Sequence, residues 1–308
     1  MCIKERNPSD STCKKLLRDK GCFADLCNYA FFQGRQVIQP EELVSRENDL
    51  STLIGKVDKP TEIKRYRDVV RKASIHGEYV IIGVEHQSTF DEKMIFRILN
   101  YDATIYINQV ESKQEVYPVG SFVFYTGDKE WKSPETLKET LKNIPSEMEP
   151  YINDWRLPVV ELKTMDARKL TNQRLKEVVE ISQSMFAGNY DDLRNNRKIE
   201  IENFMMAATF TRTKIKREDL PEGDEINMCE AMDRLFQRFE NQGMEKGKII
   251  GFEKGKSDTL KEQLKVKLGT LSRPLEKQLT NTSLEKLNEL TLNIFNVTNE
   301  EDVLKIIN

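Results

Sequence analysis

Asp68, Glu85 and Gln87 are the side chains whose types and spacing could do chemistry together. Glu85 and Gln87 are two apart in the apolar run Tyr79-Val80-Ile81-Ile82-Gly83-Val84-Glu85-His86-Gln87, so on a strand they point the same way. Val80, Ile82 and Val84 then point the other way, into a core. Asp68 closes Arg65-Tyr66-Arg67-Asp68, just ahead of Val69-Val70, and comes opposite Glu85 if the two runs pair in the matching register. Two acids converging at the end of a sheet form the hard-oxygen site that Mg²⁺ prefers. A divalent ion there polarises a phosphoryl oxygen and lowers the pKa of a bound water, which is what phosphodiester hydrolysis requires. Gln87 can orient that water, although an amide is no base at neutral pH. The same pattern also fits a plain hairpin with an exposed Asp and Glu.

These side chains need particular elements to position them. Ser74-Ile75-His76-Gly77-Glu78 is a turn-like cluster between the two apolar runs, which predicts a β-hairpin. A helix is expected over 90–110, with Ile95, Phe96, Leu99, Ile105 and Tyr106 on its apolar face. Arg97 and Tyr101 are four apart on it and therefore neighbours. On the strand-end side, Arg97 can meet a phosphate; otherwise it pairs with a core acid and Tyr101 packs at the rim. Upstream, residues 12–32 have helical spacing that Gly21 divides, after a loose polar start. Gln39-Pro40-Glu41-Glu42-Leu43 opens a short helix or turn, and 45–62 reads as loop. Further strands are expected over 116–125 and 157–162, with a helix over 134–141 between them. A mixed sheet of four or five strands with helices on its faces follows.

The run from Val80 to Tyr101, with Val84-Glu85-His86-Gln87-Ser88, Phe96-Arg97 and Tyr101, resembles the recombination-promoting nuclease / putative transposase family of the PD-(D/E)XK nuclease superfamily. Phe23-Ala24-Asp25-Leu26 through Leu43 resembles the family's opening helix and the segment after it. Pro118-Val119 through Phe124-Tyr125-Thr126-Gly127, with Trp131, resembles its third strand and the following turn. About two-thirds of the chain is covered. The resemblance implies an α/β fold, with a restriction-endonuclease-like mixed sheet core flanked by helices and an α-helical C-terminal region. It also implies a Mg²⁺-dependent endonuclease acting on double-stranded DNA in recombination. Asp68 and Glu85 would be metal ligands, with Gln87, Arg97 and Tyr101 as further catalytic residues. Asp25 is a third metal candidate from the first helix, with Asp19 as its rival and a solvent-facing helix acid as the alternative. Two positions depart from the superfamily: Gln87 stands where most members carry Lys, and Arg67 replaces the Pro before the acid. The competing function class is a catalytically silent DNA-binding or oligomerising protein on the same fold.

Of the 308 residues, 32% are charged, and the net charge is −3, which does not advertise a dedicated nucleic-acid binder but leaves room for local positive charge. Five cysteines and two histidines, without a second Cys pair to match Cys22 and Cys27, argue against zinc. No apolar run approaches membrane-spanning length, so the expectation is a cytoplasmic protein with no membrane partner. The expected divisions are a nuclease core at 1–165, a helical extension at 166–222, a charged glycine-punctuated linker at 223–263 and a helical tail module at 264–308. Helices are expected from Leu170 on, one over 191–210. Thr211-Arg212-Thr213-Lys214-Ile215-Lys216-Arg217 is the densest basic patch, readable as a DNA-backbone contact or as a solvated helix end. Gly243, Gly247, Gly251 and Gly255 punctuate the linker, and Leu284, Leu287, Leu290, Leu292 and Ile294 form the tail's apolar face, through which self-association is a further expectation.

Overall fold

Strands with apolar residues on both faces must be covered on both faces, and the middle of the sheet is built that way. The computed structural model describes residues 8–44, 69–113 and 115–307. Strands β1 (Val69–Ile75), β2 (Glu78–Gln87), β3 (Val119–Tyr125) and β4 (Val159–Glu161) form one sheet in the order β1-β2-β3-β4. β1 and β2 are an antiparallel hairpin with Ile75 opposite Glu78 and Val69 opposite Val84. Its turn residues His76 and Gly77 both have positive φ, 53° and 89°, as the right-handed twist of a two-residue hairpin demands. β2, β3 and β4 are parallel, so their C-terminal ends share one edge of the sheet.

Helices α1 (Pro8–Arg18) and α2 (Lys20–Phe32) share a core with one face of the sheet. There Leu16, Phe23 and Leu26 pack with Ile82, Val84, Phe122 and Phe124. Helices α5 (Gln173–Ala187) and α6 (Ile201–Phe210) join this layer through Leu175, Val178 and Phe210. Helix α3 (Met94–Glu111) covers the opposite face, its Met94, Ile95 and Ile98 packing with Val123 and Tyr125. Arg71 on β1 donates to the carbonyls of Leu17 (3.0 Å) and Arg18 (2.9 Å), placing a cation on the electronegative end of α1.

Several expectations are corrected. Helix starts at Pro8, not after a loose dozen residues, and the break falls at Asp19, not Gly21. Asp19 accepts from the Cys22 amide (2.7 Å) as the N-cap of α2. The helix expected over 90–110 begins only at Met94, because Asp91 turns the chain by accepting from the Lys93 amide. Phe96 is 45% exposed there, while Ile98 takes the buried place. The 134–141 helix is the single turn α4 (Leu137–Thr140). The helix expected over 191–210 contains strand β5 (Lys198–Glu200), paired with β6 (Glu225–Asn227), before α6 starts. Residues 45–62 lie outside the described residues.

The contacts divide the chain into two units, one up to Met232 and one from Asp233. Helix α7 (Met228–Leu268) supplies most of its length to the second, with α8 (Arg273–Thr280), α9 (Leu284–Asn293) and α10 (Glu300–Ile307). Leu260, Leu264, Leu275, Leu279, Leu287, Leu290, Val297 and Val303 form the second unit's core, whereas Leu292, expected inside, is 83% exposed. Ser272 caps α8 and donates its amide and hydroxyl to the Glu300 carboxylate, tying α8 to α10.

In the first unit, Gly21 sits where α2 meets the start of α5. A Cβ there would lie 2.5 Å from Asn172 Nδ2. Asn172 cannot move freely, because its Oδ1 caps α5 at the Leu175 amide and accepts from Cys22 Sγ. Helix propensity alone favours Gly21→Ala by about 1 kcal/mol; the clash reverses the sign. Urea unfolding of Gly21→Ala is expected to show a net loss of about 1–2 kcal/mol.

Candidate active site

Pleating puts Glu85 and Gln87 on the α3 side of β2, opposite Val123 and Tyr125 of β3, with Tyr125 opposite Glu161 of β4. The C-terminal ends of the parallel strands thus present Glu85, Gln87, Tyr125 and Glu161 on one face. Glu85 is only 4% exposed, and a buried carboxylate needs a charge or hydrogen-bond partner. The first turn of α3 supplies one: Arg97 Nη2 lies 2.7 Å from Glu85 Oε1, and Arg97 Nη1 lies 3.0 Å from Asp91 Oδ2. Burial works against the guanidinium's charge, yet hydrogen bonds to Tyr101 and Asp91 and the Glu85 carboxylate outweigh it, so the Arg97 pKa is raised. Tyr101, one turn along, is buried against the same core. Gln87 Nε2 stands 3.5 Å from Glu85 Oε1, at the limit of a hydrogen bond.

The structure brings together Glu85, Gln87, Arg97 and Tyr101. Asp68 lies outside the described residues; Val69, which follows it, pairs with Val84, which precedes Glu85. Asp25 is on α2, the helix that covers the other face, and its oxygens are engaged there. It accepts from the Thr171 amide (2.8 Å), the Asn172 amide (2.9 Å), the Thr171 hydroxyl and the Gln36 amide group. Asp19 serves as a helix cap. Among the described residues, no three His, Cys, Asp or Glu side chains converge as a metal cluster. Cys22 and Cys27 keep their protons: burial, above all, pushes both thiols well up from their ordinary range.

On the α1 side of β2, His86 is buried between Asp10 Oδ1 (2.9 Å from Nδ1) and the Thr126 hydroxyl (2.8 Å from Nε2), beside Phe124 and Phe210. The pair fastens the first helix to the strand that carries Glu85. On the other side, the Tyr125 ring packs against Trp131. Gly127 lies so close over the ring that a Cβ would fall 2.2 Å from the Tyr125 oxygen. Burial and the Glu161 carboxylate raise the Tyr125 pKa, and the Arg212 charge works the other way.

The basic patch is thus resolved residue by residue. Arg212 donates to the Ser88 carbonyl at 3.2 Å, three residues beyond Glu85. Arg217 is spent on the carbonyls of Pro221 and Gly223, and Lys216 pairs with Glu218. Asp91, Glu161, Asp10 and His86 were not singled out as site residues from the sequence. Asp91 had the one usable signal, an acid six residues before an Arg already suspected; the others depend on pairings between distant segments.

A family model described as "Putative transposase, YhgA-like" matches residues 61–211. No curated protein and no solved structure matches the chain. The family match supports a DNA-related, nuclease-like role. No described helix is long and apolar enough to cross a membrane.

The bonds to Asp25 make a prediction that separates a scaffold acid from a metal ligand. Asp25→Ala leaves two backbone N–H groups without their acceptor, and metal-free unfolding is expected to show a loss of about 3 kcal/mol. An acid held only for a metal would cost nothing in that assay.

Proposed function

We propose, from the match of residues 61–211 to the YhgA-like putative transposase family model, that the chain is a Mg²⁺-dependent DNA endonuclease that hydrolyses phosphodiester bonds and acts in recombination. The observation that carries this reading is the buried Glu85 at the C-terminal end of β2, with Gln87 on the same face and Arg97 at its carboxylate. A carboxylate is the hard-oxygen donor a divalent ion takes, and an ion at Glu85 Oε1 would replace the Arg97 guanidinium that now lies 2.7 Å from it. Glu85 and Asp68 would hold that ion, with Asp25 a weaker third candidate given its four existing hydrogen bonds. When bound, the ion supplies charge to a phosphoryl oxygen and acidifies a water. Gln87 orients the attacking water through its amide and leaves the proton to another acceptor. Arg97, drawn from Glu85 towards the substrate, binds phosphate oxygens through its planar fork. Tyr101 steadies the guanidinium from the next turn of α3.

The proposed substrate is double-stranded DNA, and the proposed compartment is the reducing cytoplasm, which suits the free thiols of Cys13, Cys22 and Cys27. A second reading, a DNA-binding protein without turnover, is favoured by the same salt bridge, since Arg97 already compensates Glu85 and holds it closed.

Supercoiled plasmid with Mg²⁺ decides between them. The parent is expected to convert it to nicked and linear forms, with no conversion in EDTA. Glu85→Ala is expected to slow conversion by about a hundredfold or more. Equal cleavage by both proteins would sink the endonuclease reading, and a gel shift without cleavage by either would favour the silent binder.

A further inference from the structure

Two guanidinium groups reach the C-terminal end of β2 from opposite faces of the sheet. Arg97 comes from α3 on one face, and Arg212 from the end of α6 on the other, where its side chain crosses to the Ser88 carbonyl. Resting on the endonuclease reading, we infer that Arg212 contacts a backbone phosphate of bound duplex DNA, so that the strand end is bracketed by two phosphate-binding arginines.

The backbone at Arg212 supports this. α6 ends in a Schellman turn: the Thr213 amide donates to the Ala208 carbonyl (2.9 Å) and the Arg212 amide to the Thr209 carbonyl (3.2 Å). Arg212 holds the left-handed position of that turn, with φ 55°, where glycine is the favoured residue. A long cationic side chain therefore stands where the fold would be better served by none. Its residue is exposed, and its side-chain bond among the described residues is to a neutral carbonyl, which leaves most of the guanidinium's donors for an anion. Its charge is felt at Tyr125, on the same edge of the sheet as Glu85. Arg217, in the same patch, has both ends of its fork tied to carbonyls and serves as the internal control. Arg212 also lies one residue past the segment the family model matches.

The test is the salt dependence of binding of the full-length protein to a labelled random-sequence DNA duplex, in EDTA and again in Ca²⁺, beside thermal unfolding. For Arg212→Gly, the slope of log K against log salt is expected to shrink by about 0.9, the share of one phosphate contact. Its melting midpoint is expected to equal or exceed the parent's, because glycine relieves the turn. Arg217→Gln is expected to keep the parent's slope and to melt earlier. A parent-like slope in Arg212→Gly overturns the inference while leaving the endonuclease reading intact. Failure of the parent to bind the duplex in either condition overturns both.

Discussion

A carboxylate enclosed at the end of a strand that is covered on both faces has lost its water, and something must stand in for it. At Glu85 that something is the Arg97 guanidinium, and the demand propagates outward. Arg97 must leave the first turn of α3 at the right height, so α3 must start at Met94 and not earlier. The turn from Ser88 to Lys93 must then be closed by Asp91, whose two oxygens meet the Lys93 amide and Arg97. α3 in turn is held to the sheet by Met94, Ile95 and Ile98, which pack with Val123 and Tyr125. Burial and charge compensation are therefore one design. An apolar residue at position 85 would remove the need for Arg97, for Asp91 and for this particular start of the helix. Pairing of this kind adds little net stability, since desolvation offsets the attraction.

The far face is organised by a different logic, hydrogen bonds between segments far apart in sequence. Asp25 on α2 anchors the loop at Thr171 and Asn172, Asn172 caps α5 and receives Cys22 Sγ, and Asp10 on α1 reaches His86. Lys15 and Arg174 meet on Glu202, joining α1, α5 and α6. These polar links fix which helix lies where over a core that apolar packing alone would leave free to slide.

The division between these two layers explains how much was legible in the sequence. The apolar run Tyr79–Gln87 marked β2, the two-residue spacing put Glu85 and Gln87 on one face, and the Gly77 turn marked the hairpin; these are local signals. Helical spacing made Arg97 and Tyr101 neighbours, and the family resemblance made them site candidates. What could not be read were features made by distant contacts. Asp25 carries the same letter whether it holds a metal or a loop, and its bonds to residues 171 and 172 are invisible in the sequence. Strands β5 and β6 are three residues each, too short for periodicity to register, so the helix expected over 191–210 ran straight through the first. Phe96 and Leu292 looked like core from hydropathy, but helical phase turns them outward.

Recognition and folding have different boundaries here. The matched segment opens at residue 61, but the sheet face that carries Ile82, Val84, Phe122 and Phe124 is shared with Leu16, Phe23 and Leu26, all upstream of it. A chain trimmed to the matched segment would keep the residues by which it is recognised and lose two of the helices that keep that face dry. The bared strand surface would be sticky, prone to pairing with other copies through exposed apolar area. The fold therefore asks for more chain than the signature spans: the leading pair of helices supplies both the apolar cover of that face and, through Asp10 and Asp25, polar links to residues inside the matched segment.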